Sequence, residues 1–189
     1  MNNDFRSARF WARELIEAAL FPGARAIDAT MGNGGDTCWL CERVGESGHV
    51  DAFDIQPSAL ASTRSKLEAA HLESRATLIL TGHEHMRETI QEPVNAVVFN
   101  LGWLPGAEHA LTTRVQTTLS AVNQALELLA ADGVMTVCIY PGHEEGARER
   151  EALLDWAKNL NPKRFDAMVK TYLNQKNDPP LMLAIHKLK

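Results

Sequence analysis

Apolar residues along this chain switch repeatedly between helical spacing and the short continuous runs of buried strands. Phe10, Trp11, Leu15, Ile16, Ala19 and Leu20 recur at helical intervals, which predicts an amphipathic helix over 5–20 ended by Phe21-Pro22-Gly23. Arg25–Thr30 reads as a short buried strand, followed by a helix over 36–44, a strand over 49–55, a helix over 57–70 and a strand over 76–80. The β-branched run Val94–Asn100 fits a central strand. A loop with Gly102, Pro105 and Gly106 leads to a helix over 112–131, a turn at Asp132-Gly133 and a strand over 134–140. A helix over 144–159 precedes two strands, 163–173 and 181–187, joined by a turn over 174–180. Strands alternating with helices indicate an α/β fold, a doubly wound and mostly parallel sheet. The last connection is too short for a crossover helix, so one closing strand should run antiparallel, as a C-terminal hairpin.

At 189 residues, with no repeat, low-complexity tract or linker, the chain fits a single domain over 1–189. Hydrophobic residues make 45% and charged residues 23%, which excludes disordered and fibrous classes. No apolar run approaches the roughly 20 residues of a membrane span, and Met1–Arg13 has charges in place of a signal-peptide core. Three cysteines argue against a disulfide framework, so a cytoplasmic location is the default expectation. Cys38 and Cys41 read as two small core residues on one helix face, and no metal is expected. The net charge of −5 disfavours non-specific nucleic-acid binding but leaves room for a local basic patch that docks one folded RNA. Arg148, Arg150, Lys158, Lys163, Arg164 and Lys170 form such a cluster, or a solvated face. Glu144, Glu145 and Glu149 suit the first turns of a helix.

Ligands of open α/β sheets sit at the carboxyl ends of the strands. The first such loop is Asp28-Ala-Thr-Met-Gly-Asn-Gly-Gly-Asp36, where Gly32 and Gly34 allow a sharp turn and close approach. Asp54 ends the second strand, where a carboxylate can accept from both hydroxyls of a ribose. Thr37 occupies the third glycine position of the dinucleotide fingerprint, which argues against NAD. Asp28 would repel a pyrophosphate but could hold a positively charged amino-acid end, such as that of S-adenosylmethionine.

With DATMGNGGDT (28–37), DIQ (54–56), GHE (82–84), NLGWLPG (100–106), YPGHEEG (140–146) with Glu149, and DPPL (178–181), the chain resembles the rRNA methylase family of small class I S-adenosylmethionine-dependent methyltransferases. The matching stretches span nearly the whole chain, and the second glycine-rich pair is more specific than the first loop. The resemblance implies a seven-stranded Rossmann-like methyltransferase fold and S-adenosylmethionine as cofactor. It implies that Asn33 and the position of Gly35 meet the cofactor's methionine part, and Thr30, with Asp28, joins the candidate cofactor-binding residues. Asp54 would hold the ribose, with Gln56 close to the adenosine, and Gly82 and His83 would border the adenine. Three positions depart from the family pattern: Gly35 stands where His or Asn is usual, Gly82 where Ser is common, and Trp103 where Tyr is usual.

In similar enzymes that modify nitrogen, an Asn or Asp at the position of Asn100 meets the nucleophile. An amide oxygen can accept an amine N–H and so align the attacking lone pair. His143 is the candidate base or substrate contact, or a helix-capping residue, with Tyr140 as its neighbour on the substrate side. Trp103 could stack on an unstacked base or pack under its loop. The activity implied is methylation of the aminomethyl nitrogen of wobble 5-aminomethyl-2-thiouridine, with the tRNA anticodon loop as partner. An rRNA or small-amine methyltransferase and a catalytically silent cofactor-binding module remain as alternatives. The first helix lies outside the core pattern and could cap the sheet or support a homodimer.

Overall fold

The computed structural model describes residues 7–102 and 113–189. In chain order the elements are α1 (Ala8–Ala19), β1 (Arg25–Asp28), α2 (Gly35–Val44), β2 (His49–Asp54), α3 (Pro57–Ala69), β3 (Ala76–Leu80) and α4 (Met86–Thr89), then β4 (Val94–Asn100), α5 (Val115–Leu128), β5 (Leu129–Ile139), α6 (Glu144–Lys158), β6 (Phe165–Lys170) and β7 (Leu181–Lys187). The seven strands form one sheet in the order β3-β2-β1-β4-β5-β7-β6. Strands β1 to β5 are parallel, while β7 runs antiparallel to both β5 and β6. This is the doubly wound, mostly parallel sheet with a C-terminal antiparallel pair that the alternation of elements predicts.

Residues alternate across the two faces of the sheet. Ala26, Val50 and Val98 pack with Ile16, Leu40 and Leu67 of α1, α2 and α3. Ile27, Phe53, Val97 and Phe99 pack on the other face with Val122 and Leu126 of α5 and Leu153 of α6. Helix α1, capped by the Ser7 hydroxyl on the Phe10 N–H, also lays Trp11 and Ala12 on Cys138, Met182 and Ala184. It therefore covers the sheet beside the closing strands. The strand order reverses between β1 and β4, so their carboxyl ends open the crevice where such sheets bind ligands.

Several boundaries move. Strand β5 starts at Leu129 instead of 134, because Leu129 pairs with Val94 before a register shift. That shift passes through Asp132, whose φ of 61° is left-handed, so the last residues expected in the helix belong to the strand. Strand β6 is shorter than 163–173, its residues beyond Phe165 facing solvent. Helix α4, the 3-10 turn His83–His85 before it and another at Glu73–Arg75 have no counterpart in the sequence reading. Too few residues lie between β3 and β4 to show a period, although Met86 and Ile90, both buried, stand one helical turn apart. Among the described residues no helix is long and apolar enough to cross a membrane.

Candidate active site

The glycine loop after β1 is folded by its own backbone. Met31 N–H donates to the Phe53 carbonyl at 2.9 Å and Gly34 N–H to the Met31 carbonyl at 2.8 Å. Gly34 sits at φ 74°, and a Cβ there would lie 2.8 Å from Thr63 Oγ1, so both the turn and the contact with α3 require glycine. Thr63 in turn donates to the Gly32 carbonyl at 2.9 Å.

The structure places Asp28 beneath this loop and outside the cavity lining, unlike the position expected for a residue that holds an amino-acid end. Its side chain is wholly buried; one oxygen accepts from Thr37 Oγ1 at 2.7 Å and the other from Thr30 N–H at 3.2 Å. Burial, with the negative charge of Asp36 nearby, pushes its pKa up to about 7. Asp28 thus braces the turn from within.

Above the loop lies a cavity of about 1050 Å³ at the carboxyl ends of β1, β2 and β4. Thr30, Asn33 and Gly35 border it from the glycine loop, and Asp54 and Gln56 from the end of β2. Asp54 accepts from Gly32 N–H at 3.0 Å and Gln56 N–H at 2.9 Å, one bond per oxygen. Those bonds fix the carboxylate and leave about two acceptor positions for a diol. Gly82 and His83 close the same end. The His83 Nδ1 lies 3.1 Å from the Ala29 carbonyl, which can only accept, so Nδ1 carries the proton. Burial lowers the His83 pKa, and the neutral ring keeps Nε2 as an acceptor. A Cβ on Gly82 would collide with the Glu84 carboxylate, which fills that space.

The opposite end is built on Asn100, the last residue of β4. Its backbone N–H donates to Thr30 Oγ1 at 2.7 Å, and its Nδ2 donates to Asp36 Oδ2 at 2.5 Å. Asp36 can only accept, which fixes the amide's orientation. The Asn100 Oδ1 is buried and has no hydrogen-bond partner among the described residues. Asp36 Oδ1 is held in turn by Arg9 Nε at 2.9 Å, Arg13 Nε at 2.9 Å and Arg13 Nη2 at 2.7 Å. Arg9, Asp36 and Arg13 were not singled out as site residues from the sequence. The signal available was two arginines one turn apart on α1 and an acid in the first turn after the glycine loop.

Tyr140 and His143 border the cavity after β5. Burial pushes the Tyr140 phenol up to about 12, so it stays neutral. His143 caps α6, its Nδ1 accepting from Gly146 N–H at 3.1 Å. That bond uses the Nδ1 lone pair, so the neutral ring bears its proton on Nε2. His143 therefore combines the capping role with a place on the cavity wall. Trp103 lies outside the described residues, but both chain ends that flank it are tied. Gly102 N–H donates to Thr113 Oγ1 at 2.9 Å, and Thr113 Oγ1 donates to Glu149 Oε2 at 2.9 Å. Buried Glu149 also accepts from Thr118 at 2.7 Å, so it joins α6, α5 and the neck of the 103–112 segment.

The donor set fits a nucleoside joined to an amino acid: a fixed carboxylate and a neutral imidazole at one end, an amide and cations at the other. Comparison with known proteins decides which group. Residues 50–186 match the family described as "Putative rRNA methylase". The chain belongs to that family. A solved structure under the same description, from Clostridium thermocellum, is 40% identical, with a TM-score of 0.95 over 97% of this chain and 98% of that one. Another, from Streptococcus mutans and described as a "putative methyltransferase" in complex with SAH, is 36% identical, with a TM-score of 0.89 over 97% and 99%. The tRNA (mnm(5)s(2)U34)-methyltransferase, chloroplastic, of Arabidopsis thaliana is 37% identical over 79% of this chain, which spans 58% of that relative's length. This rRNA methylase family member is an S-adenosylmethionine-dependent methyltransferase.

Proposed function

We propose that the chain methylates the aminomethyl nitrogen of wobble 5-aminomethyl-2-thiouridine in tRNA. One observation carries the reading: Asn100 lines the cavity at the end of β4, its Nδ2 held by Asp36 and its buried Oδ1 without a partner among the described residues. A buried acceptor left unpaired is costly, and a turn of the side chain toward the cavity lets an incoming N–H satisfy it. An amine, which retains an N–H after presenting its lone pair, suits that oxygen. The 37% identity to the chloroplast tRNA enzyme supports the substrate class.

In this reading Asp54 and Gln56 hold the adenosine ribose, and Gly82 and His83 border the adenine. Thr30, Asn33 and Gly35 lie along the amino-acid part, while Asp28 keeps the glycine loop in shape. The cofactor supplies an electrophilic methyl group that needs no metal. Asn100 Oδ1 accepts one amine N–H and thereby aims the lone pair, which is the main service an in-line displacement needs. The ammonium form has no lone pair, so a proton leaves before attack. With the Nδ1 of His143 engaged in its cap, that proton passes to solvent, and His143 and the Tyr140 phenol border the substrate. Trp103 offers a stacking face for the base. Arg114 and Lys66 on the cavity wall supply positive charge toward RNA phosphate. An anticodon-loop base is already partly exposed, so extruding it costs less than from a duplex.

Incubation with labelled S-adenosylmethionine and separate tRNA, rRNA and small-amine acceptors tests the reading. Label confined to tRNA, and lost with Asn100→Ala, is the expected result. Label in rRNA or an amine would replace the substrate, and cofactor binding without label in any acceptor would make the chain a silent binding module.

A further inference from the structure

We propose that Arg9 of α1 is the cation that binds the carboxylate of the cofactor's amino-acid end, across the gap left by Gly35. The inference rests on the cofactor assignment above. A Cβ on Gly35 would lie 2.6 Å from Arg9 Nη2, so the guanidinium occupies the space into which any side chain at 35 would project. Both residues line the cavity, next to Asn33 of the glycine loop.

Arg9 is pre-set for this contact. Its Nε is held at 2.9 Å by Asp36, which fixes the plane of the guanidinium. Its two Nη groups carry no hydrogen bond among the described residues and keep their donors for a ligand. A planar guanidinium with two parallel N–H groups matches a carboxylate in a bidentate pair. A second feature points the same way: no side chain caps the N-terminus of the ten-residue α2, which begins at Gly35.

Asp36 does not need Arg9 to stay in place, because Arg13 holds the same oxygen through two nitrogens. A merely structural Arg9 would be redundant there, whereas its reach into the cavity is not duplicated by Arg13. Lys66 is the alternative cation on the glycine-loop side of the cavity wall, carried by α3.

The test compares S-adenosylhomocysteine with S-adenosyl-3-thiopropylamine, which lacks only the carboxylate, by titration calorimetry on the full chain. The unaltered protein should prefer the carboxylate-bearing ligand by roughly tenfold, the weight of one charge-assisted pair in a half-exposed site. Arg9→Ala should erase that preference and leave affinity for the amine ligand close to unchanged, while Arg9→Lys should keep part of it. The proposal is overturned if Arg9→Ala weakens both ligands equally, if it keeps the full preference, or if Lys66→Ala erases the preference instead. Failure of the unaltered chain to bind either ligand would remove the cofactor assignment and this inference with it. A thermal melt of each variant separates loss of fold from loss of contact.

Discussion

Asp28 shows how far a residue's chemistry depends on where the chain places it. Its folded pKa of about 7 stands above the ordinary 3.8. Between those values the unfolded carboxyl is ionised while the native one still holds its proton. Stability therefore falls as pH rises from about 4 to about 7, by at most about 1.4 kcal/mol for each step of one in pH, and levels off above that. Asp28→Asn removes this slope. Its melting temperature should gain on the unaltered protein by at least about 4 °C between pH 5 and pH 8, measured by calorimetry; parallel curves would contradict a raised pKa. Asn100 makes the complementary case. Asn100→Ala should lower kcat on the order of a hundredfold, the weight of a misplaced nucleophile, and leave the Kd for S-adenosylhomocysteine within about threefold. Equal losses in both would make Asn100 a cofactor ligand. Asp54 and Asn100 were legible in the sequence because strand ends are where such sheets work. The bond from Asp36 to Asn100 was not, because it depends on how α2 crosses β4, 64 residues away.

Elements carry Gly102 and Thr113, which line the cavity wall. Glu149 lies one turn into α6, where an acid on a helix reads as a surface dipole contact. Packing of α6 against α5 instead buries it with Thr113 and Thr118. Burial raises its pKa, and the two hydroxyl donors oppose that rise. Glu149→Ala should therefore leave the Thr113 and Thr118 hydroxyls short of their acceptor and free the Thr113 side chain that holds the Gly102 N–H. We expect a loss of roughly 2 kcal/mol, a drop of about 4–8 °C in melting temperature. The KM for RNA should rise while S-adenosylhomocysteine affinity holds, since the neck lies on the substrate side. An unchanged KM would detach the neck from substrate binding. Helix α1 makes the related point for the fold. Its amphipathic face was plain from Trp11 and Ile16, yet which strands it would cover was not, because β7 is placed by a hairpin that closes the chain.

The whole molecule couples its two halves through the crevice where the strand order reverses. The β1–β3 half carries the carboxylate of Asp54, and the β4–β5 half carries Asn100, Tyr140 and His143. A ligand that touches both halves binds the native state alone, so S-adenosylhomocysteine at a hundred times its Kd should stabilise by about 2.7 kcal/mol. That corresponds to a rise of roughly 5–10 °C in melting temperature, and no shift would deny the cavity its ligand. The parallel run and the closing antiparallel pair followed from periodicity and loop length, which are local signals; the strand order did not. Which charges meet across the crevice did not follow, because those contacts join residues far apart in the chain. The most direct measurement is mass spectrometry of nucleosides from tRNA that bears unmethylated 5-aminomethyl-2-thiouridine, after incubation with the protein and S-adenosylmethionine. A gain of one methyl group on that nucleoside is the predicted result; an unchanged nucleoside mass, with cofactor binding shown in the same preparation, would contradict it.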